Sequence, residues 1–270
     1  MDALHWFDEG PREAPAVVFL HAFPLHSGMW QGAREALSSR YRCLGFDVRG
    51  LGRSAPPPLP CLLEHWVDDA FALMDERGVE RAVLVGCSLG GYIALRATER
   101  EPARVSGLCL VSTQPVADPN AAKLKRAAGI RQLKADGTAP YLDAFFRGAL
   151  STTTREHRPT VLERCNELTR DQTAEGLAAA LVGLATRTDT TESLGAIGVP
   201  TRVMGGSDDT IVPAAVLERM AAAIPGAELR LFAGVGHFCP LETPAEFELA
   251  LAEFIDGLPR PARGQPDATR

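Results

Sequence analysis

The sequence predicts an α/β protein in which a mostly parallel sheet is flanked by helices and carries a helical cap inserted before the penultimate strand. Three observations predict it. Over residues 1–114, short apolar runs alternate with segments of helical period, the order produced by a parallel sheet with right-handed crossovers. Over 115–195 strand signals stop and only helical segments remain; they resume at 200–205 and 228–232. At 270 residues and 28.9 kDa, one large core with an insertion suits the length better than two equal domains. The expected division is a core of 1–114 and 196–257, a cap of 115–195 and a disordered tail of 258–270.

In chain order, residues 4–7 are expected as an outer edge strand, with Gly10-Pro11 as the turn out of it. Ala-Val-Val-Phe-Leu at 16–20 is a continuous apolar run of the kind buried on both faces of a parallel sheet. It ends in His21-Ala22-Phe23-Pro24-Leu25. A helix is expected over 30–37 and a strand over 41–46. The glycine-rich loop Asp47-Val48-Arg49-Gly50-Leu51-Gly52-Arg53-Ser54 follows, and Pro56, Pro57 and Pro58 keep the next segment extended. Helical period returns over 62–77, with Trp66, Ala70, Leu73 and Met74 on its inner face and Gly78 ending it.

Residues 82–85 read as a strand, 89–100 as a helix and 105–111 as another strand. In the strandless stretch the helical segments are 119–134, 140–150, 155–168 and 173–186. Pro119 and Pro140 suit first-turn positions, and Gly137 and Gly148 suit breaks. So long an insertion exceeds a simple crossover and reads as a cap over the sheet's C-terminal edge, where an open parallel sheet has its ligand crevice. Beyond it a helix starts near Pro213 and runs to 224, and the closing helix covers 244–255. From Gly257 the chain is rich in proline, glycine and arginine without periodicity, the composition of a disordered tail.

Composition narrows the classes of function. The formal charge is -6, with no basic field for nucleic acid. No apolar stretch is long enough to span a bilayer, and residues 1–10 lack the apolar core of a secretory signal. Six cysteines without a Cys-x-x-Cys spacing are expected to be free buried thiols of a cytoplasmic protein. Neither a nucleic-acid nor a membrane partner is expected; a homo-oligomer is compatible with the composition.

The chain is organised around Gly86-Cys87-Ser88-Leu89-Gly90, set between an apolar strand and a helical pattern. Glycines two residues before and after Ser88 fit a crowded turn that lifts one hydroxyl above the sheet edge, beside the free N–H groups of the following helix. A serine hydroxyl needs a base, and the base needs an orienting group. His237 follows the last strand at the same edge and is the candidate base. His21 sits at a strand end and suits a structural role bridging loops; His26 suits the pocket mouth, whereas His5, His65 and His157 have no such position. Of the neighbours Asp208 and Asp209, the second is favoured as the acid because it leads by a short loop into a helix. An oxyanion hole needs two backbone N–H groups aimed at one point; Leu89 and Phe23 are the candidates, since Pro24 has none.

These residues carry a resemblance. The chain resembles the α/β-hydrolase superfamily over its full ordered length, and looks most like the bacterial esterase, 3-oxoadipate enol-lactonase and cofactor-free haloperoxidase (perhydrolase) branch. Its motifs stand here as His21-Ala22-Phe23-Pro24, Asp47 to Ser54, Gly86 to Gly91, Gly206 to Pro213, and Gly236-His237 followed by Glu242 and Pro244. The spacing of Gly206, Asp209 and Pro213 favours Asp209 again. Ala22 replaces the usual glycine, Leu51 a common histidine, and Cys87 precedes the serine; none removes a catalytic group.

The resemblance implies acyl transfer on a small-molecule ester or lactone with water as acceptor, through an acyl-enzyme on Ser88, with no metal or organic cofactor. Trp30, Leu89, Tyr141, Phe145, Phe146 and Phe238 are candidate apolar lining, which suits small or medium uncharged substrates. Arg126, Arg131, Arg147 and Arg155 in the cap leave a carboxylated substrate open. Carbon–carbon bond hydrolysis and perhydrolysis are the alternative reactions, and a catalytically silent ligand-binding protein is the alternative of a different class.

Overall fold

The computed structural model describes residues 4–56 and 61–259. Pro57 and Pro58 of the expected extended segment, and the expected tail from Arg260, lie outside the described residues. Among the described residues a sheet runs in the order β1-β3-β2-β4-β5-β6-β7. The strands are β1 (Trp6–Glu9), β2 (Ala16–Leu20), β3 (Arg42–Phe46), β4 (Ala82–Cys87), β5 (Val105–Val111), β6 (Thr201–Gly206) and β7 (Glu228–Phe232). Only the β1–β3 pair is antiparallel. The first strand begins at Trp6 instead of at residue 4, and at His5 only half of the pairing with β3 continues. The His5 N–H donates to Ser54 Oγ at 3.0 Å and its carbonyl accepts from Asp47 N at 2.8 Å.

Helices α1 (Gln31–Leu37), α2 (Leu63–Glu76) and α3 (Leu89–Arg100) alternate with the first strands. The insertion between β5 and β6 holds α4 (Asn120–Asp136), α5 (Thr138–Ala149), α6 (Thr152–His157), α7 (Pro159–Glu167) and α8 (Ala174–Ala185). Helices α9 (Ala214–Ala223), α10 (Cys239–Glu242) and α11 (Pro244–Asp256) complete the chain. The expected helix over 155–168 is two helices. Pro159 excludes the helical conformation at the residue before it, and Arg158 accordingly sits at φ -135° and ψ 62°. Gly137, at φ 81°, makes the expected break between α4 and α5.

Strands β2 and β4 are buried throughout, as their apolar runs require. Successive residues point to opposite faces. Phe19 meets Trp30 with ring centroids 5.4 Å apart; Trp30 in turn packs on Phe247 of α11 at 6.0 Å, and Phe247 on Phe232 at 6.3 Å. Leu20 instead lies against Gly90 of α3. These rings supply one layer of the core, each buried side chain contributing about 1.5–3 kcal/mol. Leu258, the first residue of the expected tail, still packs on that core. Among the described residues no helix is long and apolar enough to cross a membrane.

Phe247 is fully buried between Trp30 and Phe232. Phe247→Ala is expected to cost about 3–5 kcal/mol, read as a lowered urea midpoint with an unchanged denaturant slope.

Candidate active site

The parallel strands end at one edge, and the candidate residues follow four of those ends: Phe23 after β2, Ser88 after β4, Asp209 after β6 and His237 after β7. Ser88 turns the chain from strand to helix at φ 50° and ψ -109°, a conformation costing about 1–3 kcal/mol for a residue with a side chain. Its surroundings hold it there. The Ser88 N–H donates to the Val111 carbonyl at 2.8 Å, and the Ser88 carbonyl accepts from Thr113 Oγ1 at 2.9 Å and Tyr92 N at 3.1 Å. The flanking glycines are required by crowding: a Cβ on Gly86 would lie 2.3 Å from the Gly90 carbonyl oxygen, and one on Gly90 would lie 2.0 Å from that of Leu20.

His237 Nδ1 lies 2.7 Å from Asp209 Oδ2, and both residues are buried. The other carboxylate oxygen of Asp209 accepts from Ile211 N at 2.8 Å and Val212 N at 3.0 Å, which fixes its plane. With Nδ1–H donating to Asp209, the imidazole keeps its lone pair on Nε2, the nitrogen a general base uses. Asp208 is exposed and accepts from Ser207 Oγ, away from the imidazole.

A second serine with left-handed φ, Ser112 at 46°, ends β5. It is wholly buried, with Oγ 3.7 Å from Cys239 Sγ, whereas Ser88 keeps 8% of its surface open. Among the described residues, neither the Phe23 nor the Leu89 N–H has a hydrogen-bond partner; the neighbouring Ala22 N–H goes to Met29 Sδ and the Leu25 N–H to the Ala22 carbonyl.

Phe23, Tyr141, Phe145, Phe146 and Phe238 form one aromatic group. Phe23 stands edge-on to Phe145 at 5.5 Å and to Tyr141 at 6.4 Å; Phe238 packs on Phe145 at 6.4 Å, on Phe146 at 6.2 Å and on the His237 ring at 5.3 Å. Burial pushes the Tyr141 phenol up to about 12, so it stays a hydrogen-bond donor. Trp30 stands apart from this group, in the core with Phe19 and Phe247.

His21 and His26 hold loops, and His65 a helix start. His21 donates from Nδ1 to the Ala22 carbonyl at 3.0 Å and accepts at Nε2 from Val48 N at 2.8 Å, joining the loops after β2 and β3. Burial pushes its pKa down to about 4, so the ring is neutral. His26 accepts from Gly28 N, and His65 from Leu62 N at the start of α2. His157 is exposed. Asp47 braces the same region, accepting from Ser27 N and Arg53 N, each at 2.9 Å.

Two residues make contacts that the sequence does not reveal. Gln172, from the insertion, donates to the Pro24 carbonyl at 2.9 Å and accepts from Gly52 N at 3.2 Å, tying the insertion to two core loops. A lone glutamine between helical segments carries no signal of this. Glu242 is buried beside His237, and its only signal was its place in the motif that begins at Gly236. All six cysteines are free and buried; burial pushes the Cys43 and Cys165 thiols up to about 12, Cys61 up to about 11, and Cys87 well above the usual thiol range.

A family model described as the alpha/beta hydrolase fold matches residues 15–244. The chain is 32% identical over 253 residues to a pimeloyl-[acyl-carrier protein] methyl ester esterase of Xanthomonas campestris, covering 91% of this chain and 96% of that one. Among solved structures it is similar to a thermophilic esterase from Thermogutta terrifontis, with a TM-score of 0.89, 31% identity, and coverage of 94% and 93%. It is also similar to the enol-lactonase from Burkholderia xenovorans, with a TM-score of 0.86, 26% identity, and coverage of 94% and 96%.

The buried neutral His21 gives the fold a pH dependence of known sign. Its pKa in the folded protein, about 4, is below the 6.5 of the unfolded chain, so between those values the unfolded state takes up a proton that the folded state refuses. Stability is therefore expected to fall as pH drops from 6.5 to 4, by up to roughly 3 kcal/mol from this group. His26, also shifted down chiefly by burial, adds in the same direction. Urea midpoints measured across this range should show a shallower slope in His21→Gln than in the wild type.

Proposed function

The chain belongs to the α/β-hydrolase fold family, and from that premise we propose that it cleaves carboxylic esters or lactones through an acyl-enzyme on Ser88. The observation that carries the reading is a strained strand-end serine at the same sheet edge as a buried, carboxylate-oriented histidine. Ser88 is preferred to Ser112 because its turn opens into the N-terminus of α3 and its surface is partly open, while Ser112 Oγ is enclosed against Cys239.

In this mechanism His237 Nε2 takes the Ser88 proton as Oγ attacks the carbonyl carbon of the substrate. The carbonyl π electrons move to oxygen, and the oxyanion is held by the unpaired Phe23 and Leu89 amides. The tetrahedral adduct collapses, the acyl–oxygen bond breaks, and His237 gives its proton to the departing alkoxide. Water then attacks the acyl-enzyme with His237 again as base, releasing the acid and restoring Ser88. Asp209 stabilises the imidazolium formed in each half without taking its proton.

Residues 115–195 act in this reading as a cap over the core of 1–114 and 196–257, against which Leu258 also packs. The aromatic group around Phe23 supports a small or medium uncharged acyl group. Relatives named for a methyl ester and for an enol-lactone support an ester or a lactone as the bond cleaved. Six buried thiols support a cytoplasmic setting.

The test is a panel of p-nitrophenyl esters of graded acyl length, a simple lactone and a carboxylated enol-lactone. Ser88→Ala is expected to lower kcat at least about a thousandfold on every member turned over, and Asp209→Asn on the order of 10⁴-fold. Ser112→Ala should retain wild-type turnover. Activity surviving in Ser88→Ala, or lost in folded Ser112→Ala, would overturn the assignment.

A further inference from the structure

Glu242 is almost wholly buried, 2% exposed, and its carboxylate accepts four hydrogen bonds. Oε1 accepts from Phe238 N at 3.0 Å; Oε2 accepts from Gly236 N at 3.0 Å, Ser151 N at 3.1 Å and Thr154 Oγ1 at 2.7 Å. Two of these donors are the amides on either side of His237, and the other two belong to the start of α6 in the insertion. The contacts around this clasp run the same way. His237 N donates to the carbonyl of Ala149 at the end of α5 at 2.8 Å, and Ser151 Oγ donates to the Gly234 carbonyl at 2.9 Å. Thr210 Oγ1, next to Asp209, donates to the Gly148 carbonyl at 2.7 Å.

We infer that Glu242 is a positioning residue for the reaction: it locks the His237 loop to the insertion, so that the seating of the insertion and the aim of the imidazole at Ser88 are one structural event. The inference rests on His237 being the general base. The chemistry of the clasp requires a carboxylate. An amide of the same shape has one accepting oxygen and an NH₂ group that only donates. Gln at 242 could satisfy the three donors at Oε2 only by turning its NH₂ toward the Phe238 amide, leaving a buried donor facing a donor. The His237 loop would then be released on its C-terminal side. Thr154 supplies the hydroxyl link from the insertion and is itself fully buried.

The test uses Glu242→Gln, Thr154→Val and Thr154→Ser in the full chain, each checked by thermal melting. Two readouts are taken. The first is kcat and KM on the best ester of the panel; the second, which needs no substrate, is the downfield proton resonance of the His237 Nδ1–H bonded to Asp209. Glu242→Gln is expected to lower kcat by about 10- to 100-fold with KM changed little, the size of effect that a small misplacement of a reacting group produces. The proton resonance should shift or broaden in step. Thr154→Val should move both readouts in the same direction, and Thr154→Ser, which keeps the hydroxyl, should restore them.

A folded Glu242→Gln protein with wild-type kcat and an unmoved resonance would overturn the inference. So would a loss of activity that follows only the folded fraction. Should Glu242→Gln not fold, the Thr154→Val and Thr154→Ser pair decides alone: equal values in both overturn it, and a hydroxyl-dependent difference supports it. Absence of Ser88-dependent turnover in the wild type would sink the esterase reading, while the resonance would still decide whether Glu242 holds the imidazole.

Discussion

The candidate site depends on one close approach of backbone to backbone, the α-carbon of Gly90 against the carbonyl of Leu20. It holds the first turn of α3 hard against the end of β2, where no side chain could be accommodated. Ser88 is left only the left-handed turn between β4 and α3. The same contact sets the loop that starts at His21 beside the free end of α3, so the Phe23 and Leu89 amides belong to neighbouring elements before any substrate arrives. His21 and Asp47 then keep the loops after β2 and β3 from drifting, through hydrogen bonds to Val48, Ser27 and Arg53.

The candidate acid and base are held from a different direction. The loops carrying Asp209 and His237 leave β6 and β7 and are hydrogen-bonded to main-chain carbonyls at the end of α5, in the insertion. The insertion is in turn fastened to the core by Gln172. The candidate site therefore draws its residues from the ends of strands, while two of its loops are also held by carbonyls of the insertion.

Much of this was legible in the sequence because it is written in short-range patterns. Buried parallel strands such as β2 and β4 are unbroken apolar runs, and a glycine pair around Ser88 has few uses other than a crowded turn. Asp209 could be told from Asp208 by the spacing to Pro213, and the structure pairs Asp209 with His237. What could not be read is contact between residues distant in sequence. Gln172 reaches loops more than a hundred residues away, and Trp30, whose aromatic character suited a pocket as well as a core, is committed by Phe247 near the other end of the chain. The split at Pro159 was readable locally, since a proline constrains its predecessor; the continuous helical period over 155–168 obscured it.

The burial of all six thiols leaves the described surface without a reactive sulfhydryl, each native one being both enclosed and held in its protonated form. A single cysteine introduced at an exposed position of the insertion such as Leu124, which is 70% exposed, would then be the group that a maleimide dye finds first. The surroundings of the insertion can thus be reported by a fluorescent label in a chain that keeps every native cysteine.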